Sequence, residues 1–130
     1  MARVSSKSGK FNATPVRYPG GKQRFIREIL SVLPPTKSVS GKFIEPFVGG
    51  GSVFFAYGKR RAVLSDLNEE LITLYRGLKR DAGKVWIKFC RFPGNKRGYY
   101  KVRDTVRTDA TVVSKAARTL YLNRTCFKGM

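Results

Sequence analysis

Two stretches constrain this chain more than anything else in it: Phe43-Ile44-Glu45-Pro46-Phe47-Val48-Gly49-Gly50-Gly51-Ser52 and, further on, Leu64-Ser65-Asp66-Leu67-Asn68. The first reads as a β-strand running into a glycine loop and a helix. The second reads as another strand that ends in a carboxylate. An α/β sheet holds an adenosine-containing cofactor in this way, because glycines let the backbone approach the ligand and the carboxylate can accept both ribose hydroxyls. Asp66 follows Gly51 by fifteen residues.

Two related loops do not match. Six residues separate Gly51 from Gly58-Lys59, and Arg60 stands where a nucleoside triphosphate loop carries a magnesium-binding Ser or Thr. Gly49-Gly50-Gly51-Ser52 does not spell the dinucleotide fingerprint. Glycines alone also make ordinary flexible loops, so the weight rests on their pairing with Asp66. A second turn, Pro19-Gly20-Gly21-Lys22, adds a lysine able to neutralise a carboxylate or phosphate, and Tyr18 can stack on a flat ring. The plainer reading of this turn is a helix start with a solvated lysine.

From Gln23 to Leu33, Phe25, Ile26, Ile29, Leu30 and Leu33 fall three or four apart and predict a helix that Pro34-Pro35 ends. Strands are expected at Phe43 to Glu45 and Arg61 to Ser65, with a helix beginning over Ser52 to Tyr57. Asn68 or Asp66 can cap the helix carrying Leu71, Ile72, Leu74, Tyr75 and Leu78. A break at Gly83 separates it from a further helix over Val85 to Phe89. Pro93 to Gly98 reads as a basic loop. Ala110 to Asn123 is the clearest late helix, with a stripe of Val112, Val113, Ala116, Ala117, Leu120 and Tyr121.

With 130 residues, 42% of them hydrophobic, one modest core is within reach and intrinsic disorder is excluded. Lys and Arg number 27 against eight acids, and the net charge of +19 calls for a polyanionic partner. Ten of these bases lie between Arg76 and Arg103 against the single acid Asp81, with Tyr99 and Tyr100 among them, as in a phosphate-tracking surface with stacking rings. A solvated helical face with core tyrosines is the plainer alternative. No stretch approaches a membrane span, and the basic N-terminus lacks the apolar core of a signal peptide. Two cysteines, Cys90 and Cys126, and no histidine argue against a disulfide scaffold and against zinc. A cytoplasmic, metal-free protein is expected.

Taken together, Tyr18-Pro19-Gly20-Gly21-Lys22, Glu45 to Ser52, Ser65-Asp66-Leu67-Asn68 and Leu120-Tyr121-Leu122-Asn123-Arg124 resemble, in this order, the Dam-like (D12 class) DNA adenine-N6 methyltransferases. The likeness covers roughly residues 16 to 130. It implies an α/β fold, part of a Rossmann-like methyltransferase domain with a helical DNA-recognition segment, and S-adenosyl-L-methionine as the cofactor. Tyr18 and Lys22 match family positions near the cofactor; Glu45, Pro46, Phe47 and Gly49 match the first-strand loop, with Ser52 carried along. Asp66 matches the acid that anchors the adenosine part, with Leu67 beside it. Double-stranded DNA is the implied partner. Arg17 resembles a basic position that approaches DNA bases, Arg124 leads into the recognition hairpin, and Phe127 matches an aromatic inserted beside the target base pair. Lys128 replaces the usual asparagine at the next position.

The resemblance divides the chain into a flexible basic arm (1–14), a cofactor-binding part (15–82) and a mostly helical, basic, incomplete DNA-recognition segment (83–130). Methyl transfer to an adenine amine needs a flipped base stacked on an aromatic and acceptors on its amino group, roles the family gives to Asp-Pro-Pro-Tyr. No such sequence occurs here, and Pro34-Pro35 is flanked by Leu33 and Thr36. No catalytic residue is therefore assigned. A truncated or fragmentary enzyme, inactive by itself and monomeric when complete, is expected. The rivals are a small basic nucleic-acid-binding protein whose glycines only make turns, and a methyltransferase with a different substrate.

Overall fold

The structure, a computed structural model, describes residues 14–105 and 110–126. The basic arm up to residue 13, together with Phe127 and Lys128, lies outside the described residues. A single turn of 3₁₀-helix at Lys22–Phe25 leads into α1 (Ile26–Val32). Strand β1 (Phe43–Glu45), helix α2 (Ser52–Tyr57) and strand β2 (Ala62–Leu64) form one β-α-β unit. Three helices follow: α3 (Glu69–Cys90), α4 (Lys96–Asp104) and α5 (Val112–Thr125).

The two strands pair in parallel, with Phe43 opposite Ala62, Ile44 opposite Val63 and Glu45 opposite Leu64. The expected α/β class holds, with a small parallel sheet and flanking helices. Alternation sends Phe43 and Glu45 to one face, where the Phe43 ring meets Tyr57 of α2 at 5.3 Å, and leaves Ile44 and Val63 exposed on the other. The connection into β1 is held from α2. The Tyr57 hydroxyl donates to Pro34 O, and Lys59 Nζ donates to the carbonyls of Thr36 and Val39.

The main core lies in the second half. Leu74, Val85, Ala116 and Ala117 have no exposed surface, and Leu71, Leu120 and the N-terminal Val16 close around them. Helices α3 and α5 approach so closely at Gly77 that a Cβ there would lie 2.3 Å from Ala116 Cβ. Among the described residues no helix is long and apolar enough to cross a membrane.

Several boundaries differ from the sequence expectation for local reasons. Helix α1 stops at Val32 because Leu33, which precedes proline, is extended at φ −82°, ψ 141°. Of the expected apolar stripe Ile26 is buried whereas Phe25 is exposed, so only part of it is used. The break inside α3 falls at Asp81 (φ −164°, ψ 88°), not Gly83. Asp81 acts as an N-cap for the second part, its carboxylate accepting from Lys84 N at 2.8 Å, and these hydrogen bonds hold its pKa below the usual carboxylate value. The loop expected through Gly98 ends at Asn95, whose side chain accepts from Gly98 N and starts α4. Thr111 caps α5 in the same way.

The crossing at Gly77 yields a test. In an exposed helix, Gly→Ala stabilises by up to about 1 kcal/mol; here the clash with Ala116 outweighs that gain. Gly77→Ala should cost about 1–3 kcal/mol, seen as a lower urea midpoint, and an unchanged or raised midpoint would refute the tight crossing.

Candidate functional site

Beyond Glu45 the parallel pairing continues into the loop: Ser65 N donates to Glu45 O and Val48 N to Ser65 O, both at 3.0 Å. The chain then turns at Gly49 (φ +49°) and Gly51 (φ +75°), conformations that suit glycine. Asp66, just past β2, reaches across with both oxygens: Oδ2 accepts from Gly49 N at 2.9 Å and Oδ1 from Asn68 N at 3.0 Å. Asn68, positioned by that bond, caps α3 by accepting from Leu71 N. One turn further on, the Tyr75 hydroxyl donates to Gly49 O at 2.8 Å. Both polar groups of the Gly49 backbone are therefore held from the far side of the crossover.

Tyr18 lies over this loop. A Cβ at Gly49 would come within 3.1 Å of its ring, and one at Gly50 within 3.3 Å of its Cβ, so glycine is what permits the ring to sit there. Lys22 donates to Glu45 Oε1 at 3.1 Å and to Phe47 O at 2.8 Å, tying the first turn to the end of β1. Glu45 is buried, and its Oε2 has no hydrogen-bond partner among the described residues. Burial, with the negative charges of Glu45 and Asp66 adding to it, raises the pKa of Tyr75 well above its ordinary value.

These parts border a cleft of about 420 Å³ at the C-terminal ends of the strands, where open α/β sheets bind ligands. Of the seven expected cofactor residues, Tyr18, Lys22, Phe47, Gly49 and Asp66 line it, and Ser52 and Leu67 join them. Glu45 and Pro46 do not. Glu45 acts through Lys22, while the Pro46 carbonyl accepts from Ser65 Oγ. Phe47 and Leu67 are 73% and 94% exposed, two large apolar side chains at the rim with little else to cover them. Tyr75 is the residue that sequence reasoning placed only as a core position; its hydroxyl, the one polar atom on that apolar helix face, was the available signal.

The expected DNA-facing residues Arg17 and Arg124 meet at the N-terminal segment. Asn123 of α5 accepts from Arg17 N at 2.9 Å and donates to Arg17 O at 2.8 Å, and Arg124 Nε donates to Pro15 O at 3.1 Å. The Asn123-Arg124 motif thus fixes the strand of chain that delivers Tyr18 to the glycine loop. Both arginines remain exposed.

A β-α-β unit with a glycine loop, a carboxylate after the second strand and a helical appendage defines a nucleoside-cofactor type of α/β protein. Residues 18–130 match the D12 class N6 adenine-specific DNA methyltransferase family, and the chain belongs to it. This family depends on S-adenosyl-L-methionine. The chain is 32% identical to the type II methyltransferase M.MjaIII of Methanocaldococcus jannaschii, over 88% of this chain and 46% of that protein. It is 34% identical to the DNA N-6-adenine-methyltransferase of Escherichia phage P1 over 98% of this chain and 17% of that protein. Against the type II methyltransferase M.CviBI of Paramecium bursaria Chlorella virus NC1A the identity is 36%, over 88% and 44%. The chain thus spans less than half the length of these relatives.

Tyr75 provides a pH test. Its folded pKa lies above the unfolded value of 10.0, so the folded protein keeps a proton that the unfolded chain has lost. The stability linked to this proton is complete below pH 10 and declines as pH rises above it, by up to about 1.4 kcal/mol per pH unit. Tyr75→Phe should cost about 1 kcal/mol at neutral pH through the lost bond to Gly49 O, and should lose less stability than the parent above pH 10. Parallel stability curves for the two proteins in urea titrations would contradict the assignment.

Proposed function

We propose that this chain binds S-adenosyl-L-methionine at the glycine-loop cleft and contributes donor binding to N6-adenine methylation of double-stranded DNA. The observation that carries this is the Asp66 carboxylate beside an open glycine loop. A carboxylate has about four acceptor sites, and two are used by Gly49 N and Asn68 N, so two remain for ribose hydroxyls. Tyr18, Phe47 and Leu67 supply apolar and aromatic surface for the adenine and the rest of the donor. Lys22, neutralised by Glu45, offers a cation for the donor carboxylate without making the cleft repel a sulfonium.

When bound, the donor supplies an electrophilic methyl group on positively charged sulfur. This chain's residues hold it by the ribose and orient it with the loop backbone. Groups to hold and stack a target adenine are not assigned to any residue here, since the sequence contains no Asp-Pro-Pro-Tyr. Arg17 and Arg124 are offered as DNA contacts near the donor cleft, and Phe127 and Lys128 as recognition residues. The same reading makes the protein cytoplasmic and the complete enzyme a monomer.

Calorimetry with the folded chain should give one-to-one binding of S-adenosyl-L-methionine. Asp66→Ala should weaken it about 10- to 100-fold, the equivalent of losing charge-assisted hydrogen bonds. A folded sample that produces no heat would favour the rival reading, a basic nucleic-acid-binding module.

A further inference from the structure

Tyr18 enters the glycine-loop cleft on a segment that the helical half holds. Arg124 Nε donates to Pro15 O, Val16 is 2% exposed within the α3–α5 core, and Asn123 bonds both main-chain groups of Arg17. Three successive residues are thus fixed by α5 and its packing. Tyr18 is the next. Beyond it the turn closes on itself, Gly21 N donating to Tyr18 O at 3.1 Å, before Lys22 ties the chain to Glu45.

The Asn123 amide serves Arg17 as a neighbouring strand would, since the two residues of a hydrogen-bonded strand pair exchange both bonds. A two-point grip fixes the direction of the chain at Arg17 as well as its position. Arg17 is exposed, so water can replace either bond and the fold does not depend on them. Water does not supply the direction in which the chain leaves toward Tyr18. That direction has little tolerance. A Cβ at Gly49 would lie 3.1 Å from Tyr18 Cδ1, and one at Gly50 3.3 Å from Tyr18 Cβ and 3.4 Å from Val16 O.

Taking the glycine-loop cleft as the donor site, we propose that Asn123 is a positioning residue for it. Asn123 does not line the cleft, and sets donor affinity by holding Arg17 so that the Tyr18 ring covers Gly49 and Gly50. Asparagine suits the task because one short planar group carries both an acceptor and a donor; aspartate lacks the donor and alanine lacks both. The helical half thereby has a share in donor binding although α5 contributes no lining residue to the cleft.

Calorimetry with S-adenosyl-L-methionine on the full chain, Asn123→Ala, Asn123→Asp, Tyr18→Ala and Tyr18→Ala/Asn123→Ala provides the test. Each Asn123 variant should bind the donor about 5- to 20-fold more weakly than the parent. In the double variant the loss should equal that of Tyr18→Ala alone, because Asn123 acts through that ring; losses that multiply would overturn the proposal. Arg118→Gln removes two other bonds from α5 to main-chain carbonyls, those of Val102 and Arg103, and should leave donor affinity unchanged. Equal losses in Arg118→Gln and Asn123→Ala would reduce Asn123 to a general support of α5. Amide NMR gives a readout that needs no donor. In Asn123→Ala the ring-shifted Gly49 and Gly50 signals should move toward their positions in Tyr18→Ala, and in Arg118→Gln they should stay as in the parent. The same spectra show that each variant is folded. A parent chain that gives no heat defeats the donor reading, and the affinity claim with it. A parent that binds, beside an Asn123→Ala variant with equal affinity or unmoved Gly49 and Gly50 signals, overturns the role of Asn123 alone.

Discussion

The hold on Gly49 is the constraint from which the site follows. Its N–H is taken by Asp66 after β2 and its carbonyl by Tyr75 on α3, so the loop after the first strand is fixed by elements that come after the second. Gly49 is buried, and a buried backbone group without a partner costs about 1–3 kcal/mol. Either bond therefore contributes more than its modest net strength suggests. The same Asp66 sets Asn68, and Asn68 starts α3, so the carboxylate that borders the cleft also fixes where the helix carrying Tyr75 begins.

That helix links two unequal halves. The two-stranded sheet with α1 and α2 buries little by itself, and three-residue strands give few ladder bonds. The densest core is the α3–α5 contact around Gly77 and Ala116. Leu71 and Leu74 are in that core, and Tyr75 follows them on the same helix, so packing far from the loop determines where its hydroxyl lies. On the other side, Asn123 of α5 grips both main-chain groups of Arg17, and Val16 is buried in the α3–α5 core. Tyr18 is thereby referenced to the same helix pair as Tyr75. The cleft is assembled by the second half even though nearly all its lining belongs to the first.

This explains which parts were legible in the sequence. The strand, glycine loop and second strand were readable because each is a local pattern, and Asn68 because a short acceptor before an apolar period marks a helix start. Lys22 was read as able to neutralise a carboxylate, and Glu45 is the carboxylate it meets. Gly83 attracted the break in α3 on propensity, yet Asp81 takes it, because a side chain that can accept from Lys84 N stabilises a new helix start more than glycine destabilises the old one. Asn95 was hidden by Pro93 and Gly94, which argued for a longer loop. A polar hydroxyl on an apolar face marked Tyr75 and a motif marked Asn123, but their partners Gly49 and Arg17 were not legible, since both contacts join parts of the chain far apart in sequence.

Charge is sorted as unevenly as packing. In a chain of net charge +19, the glycine-loop cleft and its support contain two acids, Glu45 and Asp66, against Lys22, whereas among the described residues the cleft between α3, α4 and α5 carries five cations against two acids. A uniformly basic surface would attract DNA but would also repel a sulfonium donor. At the glycine loop Lys22 and Glu45 offset one another, so the Asp66 carboxylate alone tips the balance of these groups to the acidic side. The acidic and the basic groups thus lie on different elements of the same chain, the first at the glycine loop and the second across α3, α4 and α5.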